Sequence, residues 1–154
     1  MSFLIISNDR YVEENENVYS NSNELAILKD IFLEDEKLYI YSRKAKLSLQ
    51  YKFLKKKLHF IYNIQDFLKI RKNIKKILMV SITPFNFFSY LLLKIFFFNK
   101  PFIIYLRSDG FEEYRIKYGI LGYIIYNIFF KLISNEEKFI LCSEILLRSK
   151  IKSK

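Results

Sequence analysis

Three consecutive side chains, those of Arg107, Ser108 and Asp109, could act on a polar ligand, and Gly110 follows them directly. A guanidinium such as that of Arg107 makes charge-assisted hydrogen bonds to phosphates and anionic sugars. A carboxylate such as that of Asp109 can accept a proton from a hydroxyl group or hydrogen-bond a sugar. Two structural alternatives stay open: Arg107 forms an ion pair with Glu112 or Glu113, and Asp109 caps the helix that follows.

The elements on either side of this corner determine where it lies. Residues 102–106 are a short β-branched and aromatic run that predicts a strand, and the segment after Gly110 predicts a helix. Open α/β sheets bind ligands at the carboxyl ends of their strands. The same argument selects residues after two other predicted strands, so the candidate acceptor or cleft-binding set is Ser7, Asn8, Thr83, Arg107, Ser108, Asp109 and Gly110.

Gly110 has two simple explanations, a positive φ or a close approach of another backbone. Asp9 follows Ser7 and Asn8 in a segment without glycine. Thr83 and Pro84 together predict a sharp turn into a helix, because proline suits the first helical position.

Short apolar runs alternate with helical segments along the chain, which is the pattern of βαβ units. The predicted strands are residues 3–6, 37–41, 58–62, 77–82, 102–106 and 139–142. Six strands with crossover helices predict an α/β fold, a Rossmann-like and mostly parallel sheet with helices on both faces. We expect a single domain over residues 1–154.

Apolar periodicity predicts the helices. They cover residues 24–33, 64–76, 84–98 and 111–118, then an apolar helix after Gly119 and Gly122, and a last one from Ser143 and Glu144. In 64–76 we expect Ile64, Phe67, Leu68 and Ile74 to face inward. Residues 7–23 predict a long loop, and 42–57 either a helix or a basic loop.

Two apolar segments need to be considered as membrane spans. Residues 85–98 and 118–130 are both shorter than the roughly 20 apolar residues that a spanning helix requires. In the first, the polar residues Asn86, Ser89 and Lys94 lie within about 140° of the helical wheel, opposite Phe88, Leu91 and Ile95. We therefore predict buried core helices for both segments.

The formal charge of +10 is unevenly distributed. Residues 1–36 hold nine acidic and two basic residues, a net of −7, so the remainder carries +17. Residues 43–76 hold twelve basic residues and one acid. This basic segment predicts either a solvated face or a surface for anionic lipid, anionic glycan or nucleic acid. Nucleic acid is disfavoured because no recognisable motif accompanies the charge.

Cysteine and histidine usage removes several classes of site. The one cysteine, Cys142, excludes an internal disulfide framework and indicates a reducing compartment, so we predict a cytoplasmic protein without a secretory leader. His59 is the only histidine and lies in an alternating run, which favours a strand residue over a metal ligand or triad member. We predict no metal and no cofactor, and the absence of G-x-G-x-x-G after the first strand argues against a dinucleotide domain.

The order of elements and the run from Val80 to Tyr114, VSITPFNFFSYLLLKIFFFNKPFIIYLRSDGFEEY, with FILCSEIL later on, resembles the amino-terminal Rossmann-like domain of GT-B glycosyltransferases. The family in question is the retaining group called glycosyl transferases group 1. The resemblance covers residues 77–147 well and the first 76 residues in pattern only.

This resemblance implies a hexosyltransferase-like half-enzyme that supplies the acceptor side of a cleft, in glycan or lipid-linked saccharide synthesis. It implies a nucleotide-sugar donor as a substrate, bound mainly by a second Rossmann-like domain that also holds the carboxylate pair for the donor. That domain is absent from this sequence, so we expect a truncated or split chain that is catalytically incomplete alone; its catalytic residues stay unknown. A second-domain polypeptide would be its partner.

The alternative function is a basic, non-catalytic protein of the membrane surface. In that hypothesis the 118–130 helix lies in the interface of the inner leaflet, and Lys52, Lys55, Lys56 and Lys57 contact anionic headgroups.

Overall fold

The computed structural model describes residues 2–22, 24–26, 37–45, 51–54, 58–134 and 138–141. The chain divides into two compact units, Met1–Ile77 and Leu78–Lys154. Each combines strands with helices, and parallel and antiparallel pairings both occur. The protein is therefore of the α/β class with a mixed, mostly parallel pattern of strand pairing.

Unit 1 contains five strands and one described helix of its own. They are β1 (Ser2–Glu14), β2 (Asn17–Ser20), β3 (Lys37–Lys44), β4 (Tyr51–Leu54), β5 (Leu58–Ile61) and α1 (Ile64–Ile70). Strand β1 pairs with β3 in parallel, and β3 pairs with β5 in parallel. Leu4, Ile5 and Ile6 of β1 are all fully buried, as expected for a strand covered on both faces.

The predicted loop over residues 7–23 is wrong. Strand β1 continues to Glu14, turns at Asn15 and Glu16, and returns as β2 in an antiparallel hairpin. Asn15 adopts φ 52°, the left-handed conformation that asparagine tolerates in tight hairpin turns. Strand β4 extends this hairpin by pairing with β2, so residues 51–54 are neither helix nor loop.

Helix α1 is shorter than predicted and is capped by Asn63, whose Oδ1 accepts a hydrogen bond from Asp66 N at 3.0 Å. Phe67 and Ile74 are buried as expected, whereas Leu68 is exposed, contrary to the prediction. Most of the predicted 24–33 helix lies outside the described residues, which show only 24–26 as helical. The helix after Ser143 and the surroundings of Cys142 also lie outside them.

Unit 2 holds the candidate corner. Its elements are β6 (Lys76–Val80), in which the boundary between the units falls, α2 (Pro84–Phe96), β7 (Phe102–Leu106), α3 (Gly110–Ser134) and β8 (Lys138–Leu141). Strand β7 has the predicted bounds, neighbours β6, and pairs with β8 in parallel. The six predicted strands all occur, the other five with adjusted ends, and β2 and β4 bring the described strands to eight.

Helix α3 reverses direction at Gly119, where φ is 67° and ψ is −152°. The arm before it, residues 110–118, and the arm after it, residues 120–134, pack side by side as an antiparallel hairpin. The rings of Phe111 and Phe130 are 5.2 Å apart, although 19 residues of straight helix would span about 28 Å. The predicted break is confirmed at Gly119, whereas Gly122 lies within the helical second arm.

By length and composition, Gly110–Ser134 is the one helix among the described residues that could cross a membrane. The reversal at Gly119 divides it into arms of nine and fifteen residues. Neither arm reaches the roughly 20 residues that a span needs.

Helix α2 is oriented opposite to the prediction. A core helix is expected to bury its apolar side and to turn its polar side toward solvent. Asn86 and Ser89 are buried, whereas Phe88, Leu91 and Ile95 are exposed. A second apolar stripe explains this inversion, because the inward side also carries Phe87, Tyr90, Leu93 and Phe97, which are all buried. The prediction that residues 85–98 form a buried helix therefore holds for one side only.

Two polar residues on the inward side of α2, Ser89 and Lys94, have partners within unit 2. Ser89 Oγ donates to the carbonyl of Phe85 at 2.6 Å. The ammonium of Lys94 lies over the rings of Tyr90 and Phe102, at 5.5 and 5.3 Å from their centroids. These contacts offset part of the cost of burying this polar side, on which the buried Oδ1 of Asn86 has no hydrogen-bond partner.

Candidate functional site

A backbone hydrogen bond places the ends of β6 and β7 side by side. Ser81 N, the first residue after β6, donates to the carbonyl of Tyr105 near the end of β7, at 2.8 Å. Thr83 and Arg107 follow these two strand ends by three residues and one residue. The two exit turns therefore lie at one rim, which brings together the five candidate residues of unit 2.

The turn after β6 depends on Ser81 and Asn86. Ser81 has φ 62°, an uncommon backbone conformation for a residue with a side chain. Asn86 is 0% exposed, and its Nδ2 donates to the carbonyls of Val80 and Ser81 at 2.5 and 3.1 Å. The first turn of α2 is thereby tied to the strand end. Sequence reasoning saw Asn86 only as a polar residue of a helix face.

Thr83 is the N-cap of α2. Its Oγ1 accepts a hydrogen bond from Asn86 N at 3.2 Å, and its carbonyl accepts one from Phe87 N at 2.8 Å. Pro84 takes the first helical position, as predicted. Thr83 is half-buried. Its hydroxyl therefore caps the helix and is still partly accessible at the rim.

Asp109 is the N-cap of α3, which confirms the structural alternative for this residue. Its Oδ1 accepts hydrogen bonds from Phe111 N at 2.9 Å and from Glu112 N at 3.4 Å. Its carbonyl accepts the bond from Glu113 N at 3.0 Å. Because Oδ1 carries the cap, Oδ2 is the oxygen with which Asp109 can meet a ligand hydroxyl.

Gly110 is needed for packing and does not have a positive φ. A Cβ atom at this position would overlap the ring of Tyr126. The close approach that sequence reasoning allowed thus comes from a side chain of the same helix hairpin rather than from another backbone. Tyr126 was missed because it lies sixteen residues downstream, and only the fold-back of α3 brings it to the corner.

The corner affects the pKa of Tyr126. Burial raises the pKa of its phenol, and the negative charge of Asp109 raises it further. Tyr126 is 2% exposed and makes an edge-to-face contact with the ring of Phe111, with centroids 4.8 Å apart. At neutral pH it is therefore a neutral hydroxyl beneath the rim, held in a rigid aromatic cluster.

The remaining corner residues lie nearer to solvent. Arg107 is exposed, Ser108 is half-buried, and Glu112 and Glu113 are exposed on the first turn of α3. The corner has one guanidinium against the three carboxylates of Asp109, Glu112 and Glu113. The carboxylates oppose a phosphate at this place, despite the helix dipoles, but they suit a ligand with many hydroxyl groups.

Ser7 and Asn8 do not follow the end of a strand, contrary to the prediction. They lie within β1 at a break in its register with β3, between Ile6 and Arg10. Ser7 is fully buried and its Oγ is 3.2 Å from Tyr11 Oη. Asn8 accepts hydrogen bonds from Arg43 through its carbonyl at 3.0 Å and its Oδ1 at 2.7 Å. Both residues thus support unit 1 internally.

A polar network around Asp9 continues this support. Its Oδ2 accepts hydrogen bonds from the hydroxyls of Ser20 and Ser22, and its Oδ1 accepts one from Arg10 N at 2.8 Å. Ser20 is fully buried. The network connects β1 to β2 and to Ser22, which follows β2. The glycine-free segment predicted to be a loop near a ligand therefore stabilises the fold of unit 1.

Within the described ranges, no three His, Cys, Asp or Glu residues are grouped to hold a metal ion. His59 is a strand residue, as predicted, and stacks on Tyr39 with ring centroids 5.2 Å apart.

Comparison with known proteins found no match: no family model, no curated protein and no solved structure corresponds to this chain.

Proposed function

We propose that this chain is a Rossmann-like domain of a glycosyltransferase and that it contributes the acceptor-binding side of a sugar-transfer cleft. The observation that carries the proposal is the hydrogen bond from Ser81 N to the Tyr105 carbonyl. It sets two strand exits at one rim, and such rims are where α/β sheets bind their ligands. The reaction belongs to glycan or lipid-linked saccharide synthesis.

The order of neighbouring strands supports the Rossmann-like part of the proposal. In unit 1, β3 lies between β1 and β5; in unit 2, β7 lies between β6 and β8. In each unit, these three strands therefore lie side by side in the order in which they occur along the chain. A doubly wound fold is built from two halves of this kind. Helices on both faces complete the proposed architecture.

The composition of the rim supports a saccharide rather than a phosphate as its ligand. Hydroxyl groups of a sugar can donate to Asp109 Oδ2 and exchange hydrogen bonds with Thr83 and Ser108. Arg107 can donate to sugar oxygens or to an anionic sugar substituent. Tyr126 is a positioning residue, because its buried ring packs directly against Gly110, the residue after Asp109.

The proposed division of labour leaves the donor to another polypeptide or domain. In the family that this chain resembles, the nucleotide-sugar and its carboxylate partners belong to a second Rossmann-like domain. We accordingly expect no cofactor on this chain and no sugar transfer by it alone. Its own contribution is to hold and orient the acceptor hydroxyl, which is a large part of catalysis by positioning.

The test is an NMR titration of the 154-residue protein with a panel of neutral and acidic oligosaccharides. A saccharide acceptor should shift the amide signals of Thr83, Ser108 and Asp109, and Arg107→Ala should weaken its affinity by roughly tenfold, the loss of one charge-assisted contact. Arg71→Ala, which removes an exposed arginine of unit 1, should leave the affinity unchanged.

Two results would contradict the proposal. The first is that no saccharide in the panel shifts the rim signals. The second is turnover of a nucleotide-sugar by the 154-residue chain alone, which would show that donor chemistry lies within it.

A further inference from the structure

The outward side of α2 is a continuous apolar stripe. Phe88, Leu91 and Ile95 follow one another at helical spacings of three and four residues, and Phe98 lies directly after the helix. All four are exposed, Ile95 to 74% of its surface. A helix that buries one apolar side and still shows a second apolar side to the surroundings is adapted to an apolar partner.

The second arm of α3 carries a similar stripe. Leu121, Ile125, Ile128 and Leu132 recur at the same helical spacing, and all are exposed. Residues 120–130 contain no charged side chain, so nothing polar interrupts the stripe before Lys131.

Ring contacts join the two stripes into one surface. Phe129 lies between Ile128 and Phe130 on α3 and stacks on Phe87 of α2, with ring centroids 4.0 Å apart. Phe129 also contacts Phe88, a member of the α2 stripe, at 6.2 Å. We call the eight residues of both stripes the apolar surface of unit 2. Contiguous exposed apolar patches of this kind mark interaction sites, whereas scattered single residues do not.

The charge of the protein selects the occupant of this surface. A second copy of the chain would bring two bodies of +10 together, which opposes association. An anionic lipid surface attracts the same charge. Within unit 2, residues 78–134 hold six basic and three acidic residues, a net of +3. Charge complementarity therefore favours lipid over a homodimer.

The hairpin of α3 has the features of an interfacial element. Its turn region exposes Ile116, Tyr118, Ile120 and Leu121, and the cations Arg115 and Lys117 stand exposed beside them. Tyrosine rings prefer the boundary between lipid and water, and basic side chains meet headgroup phosphates there.

We propose that the apolar surface of unit 2 binds the interface of an anionic lipid bilayer, with α2 and the second arm of α3 lying on the membrane and Arg115 and Lys117 contacting headgroups. The surface differs from the pairing of the 118–130 helix with Lys52, Lys55, Lys56 and Lys57 considered from the sequence. Lys52 belongs to unit 1, and the other three lysines lie outside the described residues. This proposal stands independently of the proposed sugar-transfer function.

The experiment is vesicle co-sedimentation of the 154-residue protein, with phosphatidylcholine vesicles containing either 30% phosphatidylglycerol or none. Binding should be stronger to the anionic vesicles. Ile95→Asp and Ile128→Asp should each lower the partition coefficient by roughly tenfold, because each removes apolar contact and adds a negative charge. Leu68→Asp is the matched control, since Leu68 is 54% exposed in unit 1 and Ile128 is 50% exposed.

Arg115→Gln combined with Lys117→Gln should reduce the preference for anionic vesicles by roughly 25-fold, at about fivefold for each neutralised cation. The proposal is overturned if Leu68→Asp loses binding as strongly as Ile95→Asp and Ile128→Asp, or if the protein binds neither kind of vesicle. It is also overturned if sedimentation without lipid shows a dimer that Ile95→Asp and Ile128→Asp dissociate, because a second copy would then occupy the surface.

Discussion

The ring of Tyr126 lies so close to Gly110 that a Cβ atom at position 110 would overlap its carbons. Tyr126 is buried and in contact with Phe111 and Phe130, so its ring cannot move aside without disturbing the cluster. Gly110→Ala should therefore lower the free energy of unfolding by about 1–3 kcal/mol, measured by urea denaturation. In the Tyr126→Leu background the same change should cost at least about 1 kcal/mol less. Equal costs in both backgrounds would show that this packing is unimportant.

Gly119 makes the reversal of α3 possible. Its φ of 67° and ψ of −152° belong to a region that residues with a side chain rarely adopt, although nothing lies within 4 Å of its missing Cβ. Gly119→Ala should cost about 1–3 kcal/mol of stability through backbone strain alone. Ile120→Ala is the control, because Ile120 is exposed and its truncation should change stability by less than about 0.5 kcal/mol. A cost for Gly119→Ala as small as that of the control would argue against the hairpin.

Asp109 serves the helix and, in the proposed function, also the ligand. Asp109→Ala removes the cap and should cost about 1 kcal/mol of stability, whereas Asp109→Asn keeps an oxygen at the cap and should change stability by less than about 0.5 kcal/mol. If Oδ2 accepts a saccharide hydroxyl as a carboxylate, Asp109→Asn should weaken saccharide binding in the NMR titration while the protein stays equally stable. Unchanged binding in this variant would leave Asp109 with the capping role alone.

The tyrosines of the α3 cluster make the protein sensitive to alkali. Burial, with smaller contributions from Tyr118 and Glu113, raises the pKa of Tyr114 to about 12, and burial beside Asp109 raises that of Tyr126. Between pH 10 and the raised folded-state pKa, the unfolded chain has lost protons that the folded one keeps, so stability falls as the pH rises. Each tyrosine contributes at most about 1.4 kcal/mol per pH unit to this loss.

Urea denaturation at pH 8 to 11.5 should show a smaller alkaline loss of stability for Tyr126→Phe than for the unmodified protein. Tyr51→Phe, in which the replaced side chain is exposed on β4, should follow the unmodified protein. Parallel curves for all three proteins would mean that Tyr126 does not keep its proton longer in the folded state.

The Asp9 network should be important for the stability of unit 1. Asp9→Ala leaves the buried hydroxyl of Ser20 without its carboxylate partner and should cost about 1–3 kcal/mol. Glu16→Ala, at an exposed position of the β1–β2 turn, should change stability by less than about 0.5 kcal/mol. Denaturant unfolding of both variants makes the comparison, and similar small effects would contradict the role of the network.

Local signals were sufficient for the elements that carry the rim. Strand β7 is a run of β-branched and aromatic residues, and Pro101 and Arg107 mark its two ends. Thr83 with Pro84 is typical of a helix start, and Gly119 is typical of a break in a helix. For this reason the position of Arg107 to Gly110 at the end of β7, and the possibility that Asp109 is a cap, could be predicted from the sequence.

The orientation of α2 and the β1–β2 hairpin depend on contacts between segments, which neither a helical wheel nor the composition of one segment reveals. Helix α2 is apolar on two sides, so its periodicity could not decide which side faces the strands; the fit of Asn86 against the end of β6 does. The acidic, asparagine-rich segment after Ile6 seemed to be a loop. Its buried positions, Tyr11, Val18 and Ser20, become visible as a hairpin only when β2 is paired with β1.

The reversal at Gly119 has a consequence for how unit 2 tolerates damage to its backbone. The contacts between Phe111, Tyr114 and the rings of Tyr126 and Phe130 connect the two arms independently of the peptide bonds at the bend. A protease that nicked the exposed bend would sever the polypeptide, yet the two fragments would stay associated through these rings.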